Sequence, residues 1–304
     1  AGGIINIVLK EDVGLGLSGN AFVNGGTRGQ FGAGGRATYE RGPLTLNGGG
    51  SLRLSSDHRT TSELRQNLLV DPMTFLEQNG WSDRSSWSGN VNLRTDYEIT
   101  DATTLRSDVR IRRIVSEAER STRYTEMDSE RNPTEVYDRL SFDDGSGNAL
   151  NLALELDHEF GRADEEREFW ERGDRLQIEV EYDRGRDWQR NMIERHLLED
   201  IGAIDYATEL TEVDERQTES EVEFSVDYSR SIGESSEVEV GYSGEVGWTD
   251  ENRLQEMRID GLPEPESFTE RGFLHRQIVH SGYLSLMRSF GPLSAQIGAR
   301  AEHA

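Results

Sequence analysis

Acidic side chains occupy alternate positions in several segments, and they are the residues of this chain most able to do chemistry. Eight of them are candidates for contact with a solute: Glu155, Asp157, Glu179, Glu181, Asp183, Glu221, Glu223 and Glu239. Carboxylates two positions apart lie on the same side of a β-strand. Such a surface can favour cations, or it can be a hydrated wall that arginines partly neutralise. The sequence leaves both interpretations open.

The other reactive residue types form no recognisable site. The chain has no cysteine, which excludes disulfides and thiolate metal sites. His275 and His280 are five positions apart, a spacing that fits neither one face of a strand nor a helical metal site. No Gly-x-Ser-x-Gly elbow is present. We therefore expect no enzyme activity, no metal site and no cofactor.

Composition narrows the class of protein further. Hydrophobic residues make up 34% of the 304 residues, below the roughly 45–50% of ordinary globular domains. The formal net charge of -25 disfavours nucleic acid as a partner, because its phosphates would be repelled. No segment approaches the roughly 18 apolar residues that indicate a membrane helix. The protein must therefore adopt an arrangement of secondary structure that is stable with few apolar residues.

Strict alternation of apolar and polar residues supplies that arrangement. In residues 148–159, Leu150, Leu152, Leu154 and Leu156 share one face of a strand, with polar residues on the other. The same pattern recurs in further segments, namely 175–183, 221–228 and 237–248. A soluble antiparallel sandwich could also alternate. Long strands with carboxylates in series on one face favour a barrel in lipid, with apolar residues outside and polar residues inside.

The pattern predicts eleven antiparallel strands. Their approximate bounds are 13–24, 30–41, 43–56, 86–99, 103–115, 148–160, 174–185, 218–230, 235–248, 277–290 and 293–303. Most links at one end are tight, although 161–173 is longer. Links at the other end are long, polar segments, near 57–85, 116–147, 186–217 and 249–276. Short periplasmic turns and long extracellular loops are typical of bacterial outer-membrane barrels, which places the protein in the outer membrane, in contact with its lipid.

Aromatic residues mark both ends of the predicted strands. One set lies beside the short turns with the parity of the apolar faces: Tyr39, Tyr97, Phe160, Tyr228 and Phe290. Trp87, Trp188 and Trp248 lie near the long segments. Two aromatic belts, one at each membrane interface, are typical of transmembrane barrels.

The first ten residues, AGGIINIVLK, resemble the segment that ends the plug domain of TonB-dependent outer-membrane receptors. In that family a GGxINI(I/V)xK stretch leads into the first barrel strand, so Gly2, Gly3, Ile4, Ile5 and Asn6 would form the plug–barrel junction. The glycine-rich residues 14–50 also look like the family's first strands, and residues 298–303 look like its G-x-R-x-E segments.

The resemblance implies a 22-stranded barrel of which this chain supplies about 11 strands, an all-β, antiparallel, partial transmembrane β-barrel. Residues 1–10 would be the end of the plug and residues 11–304 the N-terminal half of the barrel. The family imports iron chelates, cobalamin, oligosaccharides or peptides with energy from TonB, and some members work with a lid lipoprotein. The chain departs from the family pattern in lacking a TonB box, most of the plug and the terminal aromatic residue.

Three functions are therefore compatible with the sequence. The first is energy-coupled uptake of a small solute, with TonB contacted through the missing N-terminal part. The alternatives are a passive, porin-like channel and a structural or adhesive surface barrel. Residues upstream of position 1 would discriminate between the first two: a plug of domain size with a TonB box supports the receptor, and a signal peptide directly before Ala1 contradicts it.

Overall fold

The computed structural model describes residues 16–27, 29–160, 174–200, 208–233, 235–260, 262–263, 267–291 and 293–304. The predicted plug–barrel junction, Gly2 to Asn6, lies outside these ranges, as does the longer link 161–173. Within the described ranges, no helix is long and apolar enough to cross a membrane.

The described residues form one antiparallel sheet. Its strands are β1 Leu17–Gly25, β2 Phe31–Arg41, β3 Leu44–Asn67, β4 Thr74–Thr100, β5 Thr103–Met127, β6 Pro133–Glu159, β7 Arg175–Asp200, β8 Thr208–Ile232, β9 Ser236–Ile259, β10 Leu262–Pro263, β11 Thr269–Phe290 and β12 Leu293–His303. Each long strand pairs with the next along the chain, and the short β10 pairs only with β9. The path ends at β1 and β12, so the sheet is open and forms a partial barrel. The predicted fold class and its eleven long strands are confirmed.

The register aligns neighbouring strands so that their polar residues lie on one face of the sheet and their apolar residues lie on the other. Residues directly opposite in an antiparallel pair share a face. One line of opposite residues crosses the sheet from β2 to β12 and is polar throughout: Glu40, Thr45, Asp96, Arg106, Glu155, Glu179, Ser225, Ser243, Ser281 and Glu302. We call the face that carries this line the inner face.

A nearby line on the opposite, outer face is almost wholly apolar. It runs through Ala37, Gly48, Leu93, Val109, Leu152, Tyr182, Val222, Val246 and Ile278. Along β6 and the residue after it, the outer-face positions from Leu150 to Phe160 are apolar except for His158 and span about 34 Å at roughly 3.4 Å per residue. At the roughly 40° tilt of barrel strands this gives a height of about 26 Å, close to the apolar band of a membrane barrel.

The outer face has no protein layer packed on it. Met127 is the one buried hydrophobic side chain among the described residues, whereas Val91 is 61% exposed and Leu154 is 49% exposed. A soluble sandwich of this size would bury such side chains against a second sheet. The apolar band therefore has lipid as its partner, and the sandwich alternative does not fit the structure.

The short turns lie together at one end of the sheet, as predicted. Gly42, Gly233 and Gly291 each adopt a positive φ, between 56° and 66°, in the turns after β2, β8 and β11. A side chain is disfavoured at that backbone conformation, so glycine is the residue that lets the chain reverse in so few positions.

The prediction that the long polar segments are loops was wrong over most of their described length. Eight strands, β3 to β9 and β11, have 22 to 27 residues each. The ladder between β5 and β6, for example, continues from the apolar band up to Glu126 and Glu135. Beyond the apolar band both faces of the strands are polar, because both contact water. We call this part of the sheet, above the apolar band, the extracellular extension.

Candidate functional site

The inner face is the candidate functional site, because the register places all eight predicted acidic residues on it. Glu155 lies opposite Glu179, Glu181 opposite Glu223, and Asp183 opposite Glu221. Glu245 of β9 extends the second pair into a line of three acids across three strands. Like charges directly opposite in a sheet repel each other, so this wall requires water, cations or a basic surface against it.

Arginines neutralise one end of the acidic row. The Arg106 guanidinium lies 2.7 Å from Glu155 and 3.3 Å from Asp157. Arg175 donates two hydrogen bonds to Asp157, whose side chain these two arginines nearly bury. Glu155 and Asp157 therefore belong to a salt-bridged part of the wall, and their negative charge is largely compensated.

The inner-face acids of β7 and β8 at the level of the apolar band lack such partners. Within the described ranges, no arginine lies within 4 Å of Glu179, Glu221 or Glu223. Asn151 donates hydrogen bonds to Glu181 and, at 2.8 Å, to Asp183. These neutral contacts leave the negative charge uncompensated, so the inner face divides into a salt-bridged part at β4 to β6 and an acidic part at β7 to β9.

Tyr283 adds a polar anchor that sequence reasoning missed. Its hydroxyl lies 2.7 Å from Asp227 and 2.9 Å from Glu239, so the two carboxylates share its one donated proton. The tyrosine ring lies over Gly241, where an added Cβ would come within 2.2 Å of the ring. The sequence contained a sign of this contact, because Gly241 stands among polar residues on its face of β9. The register places Gly241 directly opposite Tyr283 of β11.

The extracellular extension carries its own aromatic cluster on the inner face. The rings of Tyr124 and Tyr137 stack at 4.8 Å, and the Arg195 guanidinium lies 4.3 Å from the Tyr137 ring centroid. Burial raises the pKa of Tyr137 above its ordinary value. On the outer face of the same ladder, the Arg123 guanidinium donates to Asp138 and holds the pKa of that carboxyl below its usual range.

Three of the six histidines contact a hydroxyl group. His158 contacts the Thr103 hydroxyl at 2.8 Å, His196 contacts Thr208 at 3.3 Å, and His280 contacts the Tyr242 hydroxyl at 2.8 Å. Among the described residues, no three histidines or carboxylates are arranged to hold a metal ion.

These features define an outer-membrane β-barrel protein, and the protein is located in the bacterial outer membrane. Residues 167–304 match the model of the outer membrane protein beta-barrel family. No curated protein matches the chain.

Solved structures give only remote similarities. The outer membrane protease OmpT from Escherichia coli is 9% identical with a TM-score of 0.25, over 84% of this chain and 83% of that one. The ferric yersiniabactin uptake receptor FyuA from Yersinia pestis is 10% identical with a TM-score of 0.24. That match covers 89% of this chain and 44% of the receptor. Similarities this low carry no conclusion about the activity of this chain.

Proposed function

We propose that the chain is the N-terminal half of the barrel of a TonB-dependent receptor, which imports a small solute across the outer membrane with energy from TonB. The observation that carries this proposal is the likeness of residues 1–10 to the end of a plug domain. The geometry supports it, because the chain enters β1 at the short-turn end of the sheet, where the Gly16 carbonyl accepts a hydrogen bond from the Glu40 amide. A plug preceding β1 would therefore join the barrel on its periplasmic side.

The acidic part of the inner face is the proposed contact for a cationic portion of the solute or for basic residues of the plug. Glu179, Glu221 and Glu223 suit this role best, since none of the arginines that the structure describes lies within 4 Å of them. Glu155 and Asp157 suit it least, because Arg106 and Arg175 already hold them.

The direct experiment compares solute accumulation in cells with and without TonB, using the full-length protein and a panel of iron chelates, cobalamin, oligosaccharides and peptides. A receptor accumulates one class of solute only when TonB is present. Uptake that is unchanged without TonB, together with a stable open pore in planar bilayers, would identify a passive channel instead.

A second measurement addresses the acidic wall. We expect the combined substitutions Glu179→Gln, Glu181→Gln, Glu221→Gln and Glu223→Gln to reduce TonB-dependent uptake at least about tenfold, because each lost charge–charge contact is worth on the order of 0.5–1 kcal/mol. The matched control removes four outer-face acids of the extension, by Glu117→Gln, Glu119→Gln, Asp144→Asn and Asp250→Asn. Unchanged uptake in the inner-face variant would reject the role of these acids, although TonB dependence itself would stand.

One feature favours the adhesive alternative. The tip of the β3–β4 hairpin exposes Leu68 at 73% and Leu69 at 96%. Beside it lies a pocket of about 450 Å³, lined by Arg65, Gln66, Asn67, Thr74, Phe75, Leu76, Glu126, Met127 and Thr134. A surface of this kind suits contact with another protein, including a lid lipoprotein. Deletion of residues 68–73 that abolishes cell adhesion and leaves uptake intact would favour this function.

We also propose that the protein is not an enzyme. Incubation of the purified protein with casein, synthetic peptides and phospholipid vesicles should release no products. Steady hydrolysis of any of these substrates would contradict this expectation.

A further inference from the structure

Arginines are concentrated on the outer face just above the apolar band. Two consecutive cross-strand lines mark this level. One passes through Ile111, Leu150, Arg184, Ser220, Trp248 and Arg276, and the next passes through Arg113, Asn148, Arg186, Thr218, Asp250 and Leu274. These two lines hold four arginines and one acid, in a chain with 33 basic and 58 acidic residues overall. We call Arg113, Arg184, Arg186 and Arg276 the basic belt.

The basic belt lies at the extracellular membrane interface. Directly below Arg184, the outer face is apolar through Tyr182, Val180 and the rest of the band. The interfacial tryptophans lie at the same level: the Arg113 guanidinium is 5.6 Å from the Trp87 ring centroid, and that of Arg276 is 6.0 Å from Trp248. Tryptophan is enriched at the depth of the lipid headgroups, so the arginines beside it lie at that depth as well.

The belt arginines are exposed, and the described residues supply no counter-ion to them. Within the described ranges none of the four lies within 4 Å of a carboxylate, whereas Arg190 and Arg216, farther from the membrane on β7 and β8, pair with Glu212 and Asp214. Carboxylates are nevertheless plentiful in the chain, whose formal net charge is -25. The absence of such pairs at this level indicates that the counter-ion comes from outside the protein.

Three of the belt arginines are close enough to bind one anionic group together. Arg184 and Arg186 are two positions apart on β7, about 7 Å along the strand. Arg113 is separated from Arg186 by one strand, β6, which gives about 10 Å between them, and Asn148 lies between the two. Guanidinium groups bind phosphate oxygens through paired hydrogen bonds, and Asn148 supplies a further donor.

We propose that Arg113, Arg184 and Arg186, with Asn148, bind the phosphate of an anionic glycolipid in the outer leaflet, and that Arg276 extends this contact along the membrane surface. The occupant is a lipid because the site faces outward at headgroup depth, with the apolar band directly below to receive acyl chains. The proposal is independent of which solute the protein transports, since the basic belt lies on the opposite face from the acidic wall.

The test measures lipid binding by the full-length protein in detergent micelles, with native mass spectrometry as the readout and two purified probes. One probe is a diacylated glucosamine disaccharide lipid carrying two phosphates, and the other is the same lipid with both phosphates removed. At low salt each interfacial arginine contributes about fivefold in affinity. We therefore expect Arg113→Gln, Arg184→Gln and Arg186→Gln together to weaken binding of the phosphorylated lipid by roughly a hundredfold, and removal of the phosphates to weaken wild-type binding similarly.

The matched control removes three arginines of the inner face that form no ion pair with a described residue, by Arg59→Gln, Arg84→Gln and Arg112→Gln, and it should bind the lipid as the wild type does. Arg112 is the direct neighbour of Arg113 and lies on the other face. Heat-dependent gel mobility verifies that each variant is folded. The proposal is overturned if the folded outer-face variant keeps wild-type affinity, if both lipids bind equally well, or if inorganic phosphate alone binds as tightly as the phosphorylated lipid.

Discussion

At the scale of single residues, the contact between Gly241 and Tyr283 makes a sharp prediction about packing on the inner face. An added Cβ at Gly241 would come within 2.2 Å of both the Tyr283 ring and an Asp227 carboxylate oxygen. We expect Gly241→Ala to lower the free energy of unfolding by about 1–3 kcal/mol, the usual cost of overpacking. Urea-induced unfolding in lipid vesicles, followed by tryptophan fluorescence, measures this change.

Gly247 is the matched control for this substitution. It lies on β9 and on the same face, and an added Cβ there would have nothing within 4 Å. Gly247→Ala should leave the free energy of unfolding unchanged or raise it slightly, since alanine loses less backbone entropy than glycine on folding. Equal destabilisation by the two substitutions would mean that Tyr283 does not occupy the space over Gly241.

A second residue-scale prediction concerns the turn after β5. The Asp128 carboxylate accepts hydrogen bonds from the amides of Glu130 and Asn132, both at 2.8 Å. The amide of Asn132 has the largest effect in lowering the pKa of Asp128, and this turn lies outside the membrane. It also holds Arg131 at a φ of 66° with its guanidinium 4.8 Å from the Phe75 ring centroid.

Because the pKa of Asp128 is lowered by folding, its stabilising effect is fully present above the ordinary aspartate pKa of about 3.9 and is lost as pH falls through the lower, folded value. Asp128→Ala should abolish hydrogen-exchange protection of the Glu130 and Asn132 amides at neutral pH, whereas Ser129→Ala should preserve it. Protection that survives Asp128→Ala would show that the turn does not depend on this carboxylate.

At the scale of the strands, the extracellular extension provides the clearest test of the corrected fold. If residues 116–127 and 133–145 form a continuous ladder, their amides should exchange at least about a hundredfold more slowly than the same amides in the urea-unfolded chain. Hydrogen exchange followed by mass spectrometry of peptic fragments measures this ratio. Uniformly fast exchange across 116–147 would restore the interpretation of this segment as an irregular loop.

The extension was not predictable from alternation, for a physical reason. Alternation arises where one face of a strand contacts lipid and the other contacts water. Beyond the apolar band both faces of β5 contact water, so residues such as Glu117 and Arg120 need not alternate with apolar ones. The ladder continues there through backbone hydrogen bonds and side-chain pairs such as Arg123 with Asp138, which leave only a weak periodic signal.

Within the apolar band, by contrast, the sequence predicted the strands well. Leu150 to Leu156 alternate because lipid excludes polar side chains from the outer face. The positions of Glu179 and Glu221 on a common face followed from the same parity. The sequence could not predict which acids are neutralised, because the approach of Arg106 to Glu155 depends on register between strands that are far apart in the chain.

At the scale of the whole molecule, the two faces of the sheet have different electrostatic roles. The inner face is acidic at β7 to β9, and the outer face is basic where it meets the extracellular leaflet. This separation places the unpaired carboxylates of β7 to β9 toward the interior of the barrel and the unpaired arginines toward the lipid. The function proposed here and the proposed lipid site therefore use opposite faces of the same strands.

The central claim is that β6 crosses the membrane with its leucines toward lipid and continues into water as part of the same sheet. Because the chain has no cysteine, a single cysteine can be introduced at each position from 134 to 158 and spin-labelled. EPR of each variant in lipid vesicles then measures how often the label collides with oxygen and with a water-soluble nickel chelate. We predict a period of two in 150–158, with oxygen favoured at Leu150, Leu152, Leu154 and Leu156, and access to nickel on both faces in 134–147. Uniform nickel access from 150 to 158, without alternation, would contradict the account.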